Sequence, residues 1–568
     1  MYVAAPPSPV TKPNASRSLS HDIFLLLLVC LALFGIGLNF TPLANPDEAR
    51  YAEIPREMIA ANDFVTPRLD GIKYFEKPPL TYWLVAGSIK LFGQGEGAAR
   101  AAPAVFAAIG VLLTYAAGRS LIGRDAGWWA AVVQATSLLY FAHARILLTD
   151  MIVSVLICST LYCFLLGMRE PSGRKRRWLF YGLYASAALA TLAKGLIGFL
   201  LPGAVMFIWL LAFNEWRRLL PLYLPTGLLL FAAIAVPWHI QVAQRNPEWA
   251  WFYFVHEHWL RFTTTTHGRY QPFWYFIPVT LLGLFPWTGF LWPALRTALP
   301  ENWTRRADYT DRAFPLVWAA FIFLFFSASK SKLVPYILPV FPPLALILGQ
   351  YLAPRMRSAS AGGLRAGFVG FSIISGLLGI GLMVVFFRPS LLGAIANADV
   401  LSHFGMLAGV FLFGGALGVY LLYRSENTQL ALQFMLVSTG AFAAVLVLAT
   451  PAIARPSTKE LARVVAQQAA PDDLVLHYHD YFHDFSYYSQ RTVGTVGYEG
   501  ELELFLDPDA AQRGLHVDEA RFLELWTGPK RIYLLLRRSE MASLLATPGF
   551  HAQVLAEERK HLLLTNRR

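Results

Sequence analysis

Thirteen apolar runs lie between Ile23 and about Thr450, and they leave this chain few folds to choose from. A bilayer core takes about 20 mainly apolar residues per helix. The runs fall at 23–40, 98–118, 126–142, 151–168, 178–196, 198–214, 220–239, 272–292, 313–328, 334–352, 367–387, 404–423 and 429–450. The stretch Pro79 to Phe92 is also apolar, but it is short and carries Lys90, so it reads as a helix lying in the interface rather than crossing it. The expected fold is therefore a polytopic α-helical membrane protein with about 13 transmembrane helices. With 56% hydrophobic and 15% charged residues over 568 positions, a soluble globular class is excluded.

The net charge of +12 does not point to nucleic acid, because the basic residues sit in short runs between apolar stretches, as beside anionic lipid. Arg119/Arg124, Arg174 to Arg177, Arg217/Arg218, Arg305/Arg306, Arg355/Arg357 and Arg424 fall on one side if the N-terminus is cytoplasmic. The first apolar run has no small-residue cleavage site after it and reads as an uncleaved first span. Cys30, Cys158 and Cys163 all lie in apolar stretches, so neither a disulfide framework nor a thiolate metal cluster is legible.

From about Ala452 the pattern changes. STKELARVVAQQA and SEMASLLAT read as helices, DLVLHY and RIYLLLRR as strands, so a small α/β domain follows the last span. The expected division is a cytoplasmic tail over 1–22, a transmembrane catalytic domain over 23–450 with an outer loop at 41–97, and a periplasmic C-terminal soluble α/β domain over 451–568.

The outer loop carries NPDEARYAEIPREM and then YFEKPPLTYW. Pro46 followed by Asp47 and Glu48 marks a helix start where acids are favourable, and helical spacing puts Asp47, Arg50 and Tyr51 on one face. Such a face also suits a solvated amphipathic helix with an ion pair. A second outer loop, HARILLTDM, places His143, Arg145 and Asp150 between two apolar runs, where an ionisable group is costly unless it has a task or a partner. Asp150 also suits a helix cap. Lys77, Lys194, Arg261, Arg269, Lys330 and Lys332 reach the same outer side, against the positive-inside tendency. Any one of them would serve as a snorkelling anchor, but a collection of cations next to the acids suits a phosphate-bearing lipid.

NPDEARYAEIPREM, YFEKPPLTYW, ARILLTD and SKLVPYILP resemble the bacterial lipid A aminoarabinose transferases of the GT-C glycosyltransferase superfamily. The resemblance covers about the first 350 residues by motif and the whole chain by architecture. It implies inverting transfer of 4-amino-4-deoxy-L-arabinose from undecaprenyl phosphate to a lipid A phosphate outside the inner membrane, and with it resistance to polymyxin. It also implies Asp47 as principal catalytic carboxylate and Asp150 as second acid. Arg50, Lys77, Lys194, Arg261 and Lys330 would hold carrier or acceptor phosphates, and Tyr51 and Tyr336 would orient ligands. No cofactor is required. A divalent metal, if bound, would take Glu76 and His256, since carboxylate and imidazole are suitable ligands. A GT-C transferase acting on a protein hydroxyl shares the same acidic loops. A flippase would instead concentrate polar residues at mid-membrane, and no internal repeat supports that architecture.

Overall fold

The computed structural model describes residues 18–260, 270–299, 304, 309–358, 361–393, 397–454, 456–498, 500, 502, 507, 510 and 513–567. All thirteen apolar runs are helical, though not all in the same way. Among the described residues eight helices are long and apolar enough to cross a membrane by themselves, and nine if one bent pair counts as a span. Val334–Arg357 and Thr149–Arg169 are the most enclosed of these helices, with 89% and 83% of their apolar windows buried, and so run through the middle of the bundle.

The other five runs depart from a straight span for identifiable reasons. Leu19–Cys30 continues through a π-helical turn, Leu31–Gly35. Ile197–Phe213 has 17 residues, and Arg174–Lys194 opens on a basic cluster that lowers its hydropathy. Arg124–Thr136 and Leu138–His143 are separated by an extended Ser137, while Phe273–Gly283 and Thr288–Ala298 meet at 108°. These two breaks repair each other. The Leu138 N–H donates to the Phe285 carbonyl at 3.0 Å, and the Trp287 indole donates to the Thr136 hydroxyl at 2.9 Å. Irregular backbone at membrane depth needs such internal partners because lipid offers none. Near the C-terminal end of the bundle, Arg365–Phe387 and Ala398–Arg424 approach so closely at Gly379 and Gly409 that a Cβ on either would lie within 2.8 Å of the other's carbonyl oxygen.

Leu80–Phe92 forms the short helix expected of the interfacial stretch. After Ile453 the chain builds a six-stranded sheet, in the order His516–Val517, Gly494–Val496, Leu474–Tyr478, Ile532–Arg537, His561–Thr565 and Gln553–Glu558. The first four strands are parallel and the last two antiparallel. Strand alternation sends Tyr533 and Leu535 into one layer with Leu461 and Val465, and Leu534 and Leu536 into the other with Phe522 and Trp526. Both faces of this sheet are thus covered, as parallel strands require.

Candidate active site

The Asp-Glu pair at the start of the outer loop splits into two roles. Asp47 and Glu48 occupy the first turn of Asp47–Ala61. Glu48 is buried and takes the Arg100 guanidinium through both oxygens, at 2.8 and 2.6 Å. It also accepts the N–H groups of Ala44 at 3.0 Å and Leu147 at 2.9 Å, so it ties the first outer loop to the second just before Asp150. Arg100 spends its other donors on the carbonyls of Leu38, Thr41 and Pro42. With Glu48 so occupied, Asp47 is the reactive candidate: its side chain is 54% exposed and lies 3.8 Å from Arg50.

Arg50 is buried and donates to the Tyr74 hydroxyl at 3.1 Å. Tyr51 beside it is also buried. Burial pushes its phenol well above the usual tyrosine range; the Arg50 charge opposes that shift, and the carboxylates of Glu76, Asp47 and Asp150 reinforce it. One phenol therefore lies within electrostatic reach of acids from three segments.

The second acid is set by its own helix. Thr149–Arg169 begins one residue before Asp150, so Asp150 sits inside the first turn instead of capping it. Its Oδ1 accepts from Lys194 Nζ at 2.5 Å, with both side chains nearly enclosed. The Lys194 ammonium also lies 4.8 Å from the centre of the Tyr336 ring. Asp150, Lys194 and Tyr336 line an open cavity together with Glu76 and Lys77, and apolar side chains such as Ile157, Leu201, Phe325 and Phe326 complete its wall. Lys77 holds the Glu76 carbonyl at 2.9 Å and lies 3.6 Å from its carboxylate. A cavity with a few convergent charges on an apolar wall suits a ligand with an anionic head and a hydrocarbon tail.

Not every expected residue joins this group. Lys330 is exposed and is not part of the cavity wall, which is lined there by Ser329 and Ser331. Lys332 is turned inward onto the carbonyls of Gln271 and Ser329 and is a structural strap. His256 stacks on Phe252 at 4.9 Å and is absent from the cavity wall. His143 is buried with Nδ1 on the Leu139 carbonyl, and Arg145 closes the carbonyl end of the first helix at Leu33 and Ile36. Arg261 and Arg269, and the side chain of His258, lie outside the described residues.

Two features escaped sequence reasoning. One is the Arg100 anchor, whose signal was a charge inside the apolar run 98–118. The other is a buried acidic group, Glu53, Glu57 and Asp70, whose carboxylate oxygens lie within 4.8 Å of one another and which includes neither Glu76 nor His256. Arg56 clamps Glu53 at 2.7 and 2.5 Å. Burial together with the Glu53 charge pushes Glu57 well up and raises Asp70 to about 7.

Two segments match known families: residues 76–240 match the dolichyl-phosphate-mannose-protein mannosyltransferases, and residues 461–566 the aminoarabinose transferase C-terminal domain. An undecaprenyl phosphate-alpha-4-amino-4-deoxy-L-arabinose arabinosyl transferase from Edwardsiella ictaluri is 31% identical over 406 residues, which is 70% of this chain and 72% of that protein. The chain belongs to this arabinosyltransferase family. A Proteus mirabilis member is 30% identical over 73% of this chain and 74% of its own length. The fold agrees over nearly the whole length with a crystal structure of ArnT from Cupriavidus metallidurans bound to undecaprenyl phosphate, at a TM-score of 0.85 and 28% identity, covering 97% of this chain and 99% of that one. The protein is thus a GT-C glycosyltransferase that uses a lipid-linked donor, as its loop motifs imply.

Proposed function

We propose that the protein transfers 4-amino-4-deoxy-L-arabinose from undecaprenyl phosphate to a lipid A phosphate on the periplasmic face of the bacterial inner membrane. The observation that carries this reading is the cavity itself, where Lys77, Lys194 and Asp150 converge on an apolar wall next to the Asp47 helix. A polyprenyl phosphate has that same polarity. In the reaction the bond between the anomeric carbon and the carrier phosphate oxygen breaks, and an acceptor phosphate oxygen attacks the opposite face, which inverts the centre.

The carrier leaves as undecaprenyl phosphate, and cations at Lys77 and Lys194 stabilise the charge it gains. Asp47 faces the sugar, where an oxocarbenium-like state favours a nearby carboxylate. A phosphate acceptor is already anionic near neutral pH, so Asp47 need not act as a strong base. Arg50 orients Asp47, Tyr51 and Tyr336 orient the ligands, Asp150 holds Lys194 in place, and Arg261 and Lys330 are assigned to acceptor or carrier phosphate. A divalent cation, if bound, would be held by Glu76 with His256 as its imidazole partner.

In this reading residues 1–22 are a cytoplasmic tail, 23–450 the catalytic membrane domain and 451–568 a periplasmic domain. An amino sugar on a lipid A phosphate offsets surface negative charge and so weakens attraction to polymyxin and cationic antimicrobial peptides. Purified protein incubated with undecaprenyl-phosphoryl aminoarabinose and lipid A tests the proposal. Mass spectrometry should show lipid A heavier by one aminoarabinose; transfer only to a hydroxyl acceptor, or none, would overturn it.

A further inference from the structure

The outer loop is held by the C-terminal unit at two places, one near Asp47 and one near Lys77. At the first, the Asn45 amide donates to Asp484 Oδ1 at 2.5 Å, and the Asp484 N–H donates to Asn45 Oδ1 at 3.0 Å. Asn45 lies two residues before Asp47, and the Leu43 N–H beside it donates to the Tyr488 hydroxyl at 2.9 Å. Asp484 and Tyr488 both belong to the short helix His483–Ser489.

At the second place, the hairpin formed by Arg68–Leu69 and Ile72–Lys73 inserts its tip into the same unit. The tip residues Asp70 and Gly71 have φ of 51° and 75°, the left-handed conformation that a two-residue Asp-Gly hairpin turn needs. Asp70 accepts from Tyr481 at 2.5 Å, from Ser486 at 2.7 Å and from the Val493 N–H at 2.8 Å, and it is almost wholly buried. From there the chain runs through buried Ile72, Tyr74 and Phe75 straight to Glu76 and Lys77. Tyr74 in turn accepts from Arg50, the residue beside Asp47. A buried stretch this short gives its ends little freedom to move independently.

We propose that the C-terminal α/β unit positions the reacting groups, with Asp484 fixing Asp47 through Asn45, and Tyr481, Ser486 and Val493 fixing Lys77 through Asp70. This rests on the reading of Asp47 and Lys77 given above. Asp484 and Ser486 are positioning residues, since neither lines the cavity.

The test uses the full chain in lipid nanodiscs. Asn45→Asp sets a second carboxylate against Asp484 and should lower kcat roughly 10- to 100-fold, the size of effect a small misplacement produces, while the donor KM stays nearly constant. Adding Asp484→Asn restores a complementary amide-carboxylate pair and should recover most of kcat. Tyr481→Phe with Ser486→Ala should lower kcat/KM for the donor, because Lys77 meets the carrier phosphate as it leaves. Phe522→Leu, on the far layer of the sheet, is the control for stability alone and should change neither constant. The proposal fails if Asn45→Asp keeps wild-type kcat, if the paired variant does not recover, or if Phe522→Leu gives the same kinetics. Wild-type protein that moves no aminoarabinose refutes the function instead. In that case amide exchange over residues 43–77 decides the positioning: protection must fall in Asn45→Asp and return in the paired variant.

Discussion

Glu48 holds Arg100 through both carboxylate oxygens, at 2.8 and 2.6 Å, while Asp47, the preceding residue, keeps its side chain 54% exposed. Two adjacent acids on one helical turn point to different neighbours, and this sets up opposite outcomes on substitution. Asp47→Asn should lower transfer by roughly 10²- to 10⁴-fold and change stability by less than about 0.5 kcal/mol, as for most exposed positions. Glu48→Gln should do the reverse first: removing one partner of a buried ion pair costs about 3–5 kcal/mol. Turnover and thermal unfolding of the two variants, measured side by side, check the division. Near-normal turnover by Asp47→Asn would remove that residue from the chemistry.

Lys194 and Asp150 form the tightest pair on the cavity wall, at 2.5 Å. Lys194→Ala strips Asp150 of its counter-charge, so it should lose turnover and stability together. Pairing it with Asp150→Asn should return much of the stability and none of the turnover. A double-mutant cycle read by unfolding and by kcat separates these effects.

Lys77 lines the cavity beside Glu76, and the proposed function gives it a phosphate to hold. Lys77→Ala should cost roughly tenfold or more in kcat/KM, the worth of one charged hydrogen bond at about 1.5–3 kcal/mol. Lys77→Arg keeps the charge and changes the donor geometry, so a partial loss there identifies a point-charge contact. Arg261→Ala belongs in the same series. If Ala at positions 77, 194 and 261 leaves kinetics intact while protein level drops, the three cations are interfacial anchors.

The acidic group at the hairpin tip makes stability fall as pH rises. Burial raises Asp70 from 3.8 to about 7 and holds Glu57 well above its ordinary value. The folded state therefore holds protons that the unfolded chain has released. Its stabilisation is full below about pH 4 and is lost as pH climbs through about 7. The slope should approach about 1.4 kcal/mol per pH unit where one proton is at stake. Asp70→Asn should flatten this slope and raise the unfolding temperature at pH 8. Tyr481 and Ser486 can turn their hydroxyls to accept from the new amide. Unfolding of both proteins across pH 5 to 8.5 would show the difference, and parallel curves would refute it.

The sequence already contained much of this arrangement. The apolar runs located the helices of the bundle because lipid demands long apolar segments, while DLVLHY and RIYLLLRR located two of the six strands of the C-terminal sheet. Asp47, Arg50 and Tyr51 stood out by their helical spacing and Lys77, Asp150 and Lys194 because charges on the outer side need a reason, whereas Tyr336 came only with the family resemblance. What stayed hidden was long-range pairing. Nothing local in NPDEAR says that Glu48 will meet Arg100, 52 residues away, or that Asp70 will be capped by Tyr481, 411 residues on. The breaks at Ser137 and Phe285 were equally invisible, because each is tolerable only through a hydrogen bond to the other.

Five of the thirteen apolar runs are short, basic at one end or bent, so helix length does not fix their number of crossings. Charge does better, once side chains already committed to structure are set aside. Arg176 spends its donors on the carbonyls of Gly167, Glu170, Pro221 and Arg218, and Arg145 on those of Leu33 and Ile36, so neither reports on the membrane potential or lipid charge. Arg174, Lys175 and Arg177 remain exposed beside Ser172 at one end of the bundle. Asp150 and Arg169 lie near opposite ends of one 21-residue helix, about 30 Å long, which is the thickness of the hydrocarbon core. The basic cluster next to Arg169 therefore belongs to the cytoplasmic face if Asp150 belongs to the other. In a background with Cys30, Cys158 and Cys163 replaced by Ala, Ser172→Cys should react with an impermeant maleimide only from the cytoplasmic side. Ser539→Cys, exposed in the C-terminal unit, should react only from outside. Reaction of both from one side would overturn the thirteen-crossing thread and place the sheet in the same compartment as the basic loops.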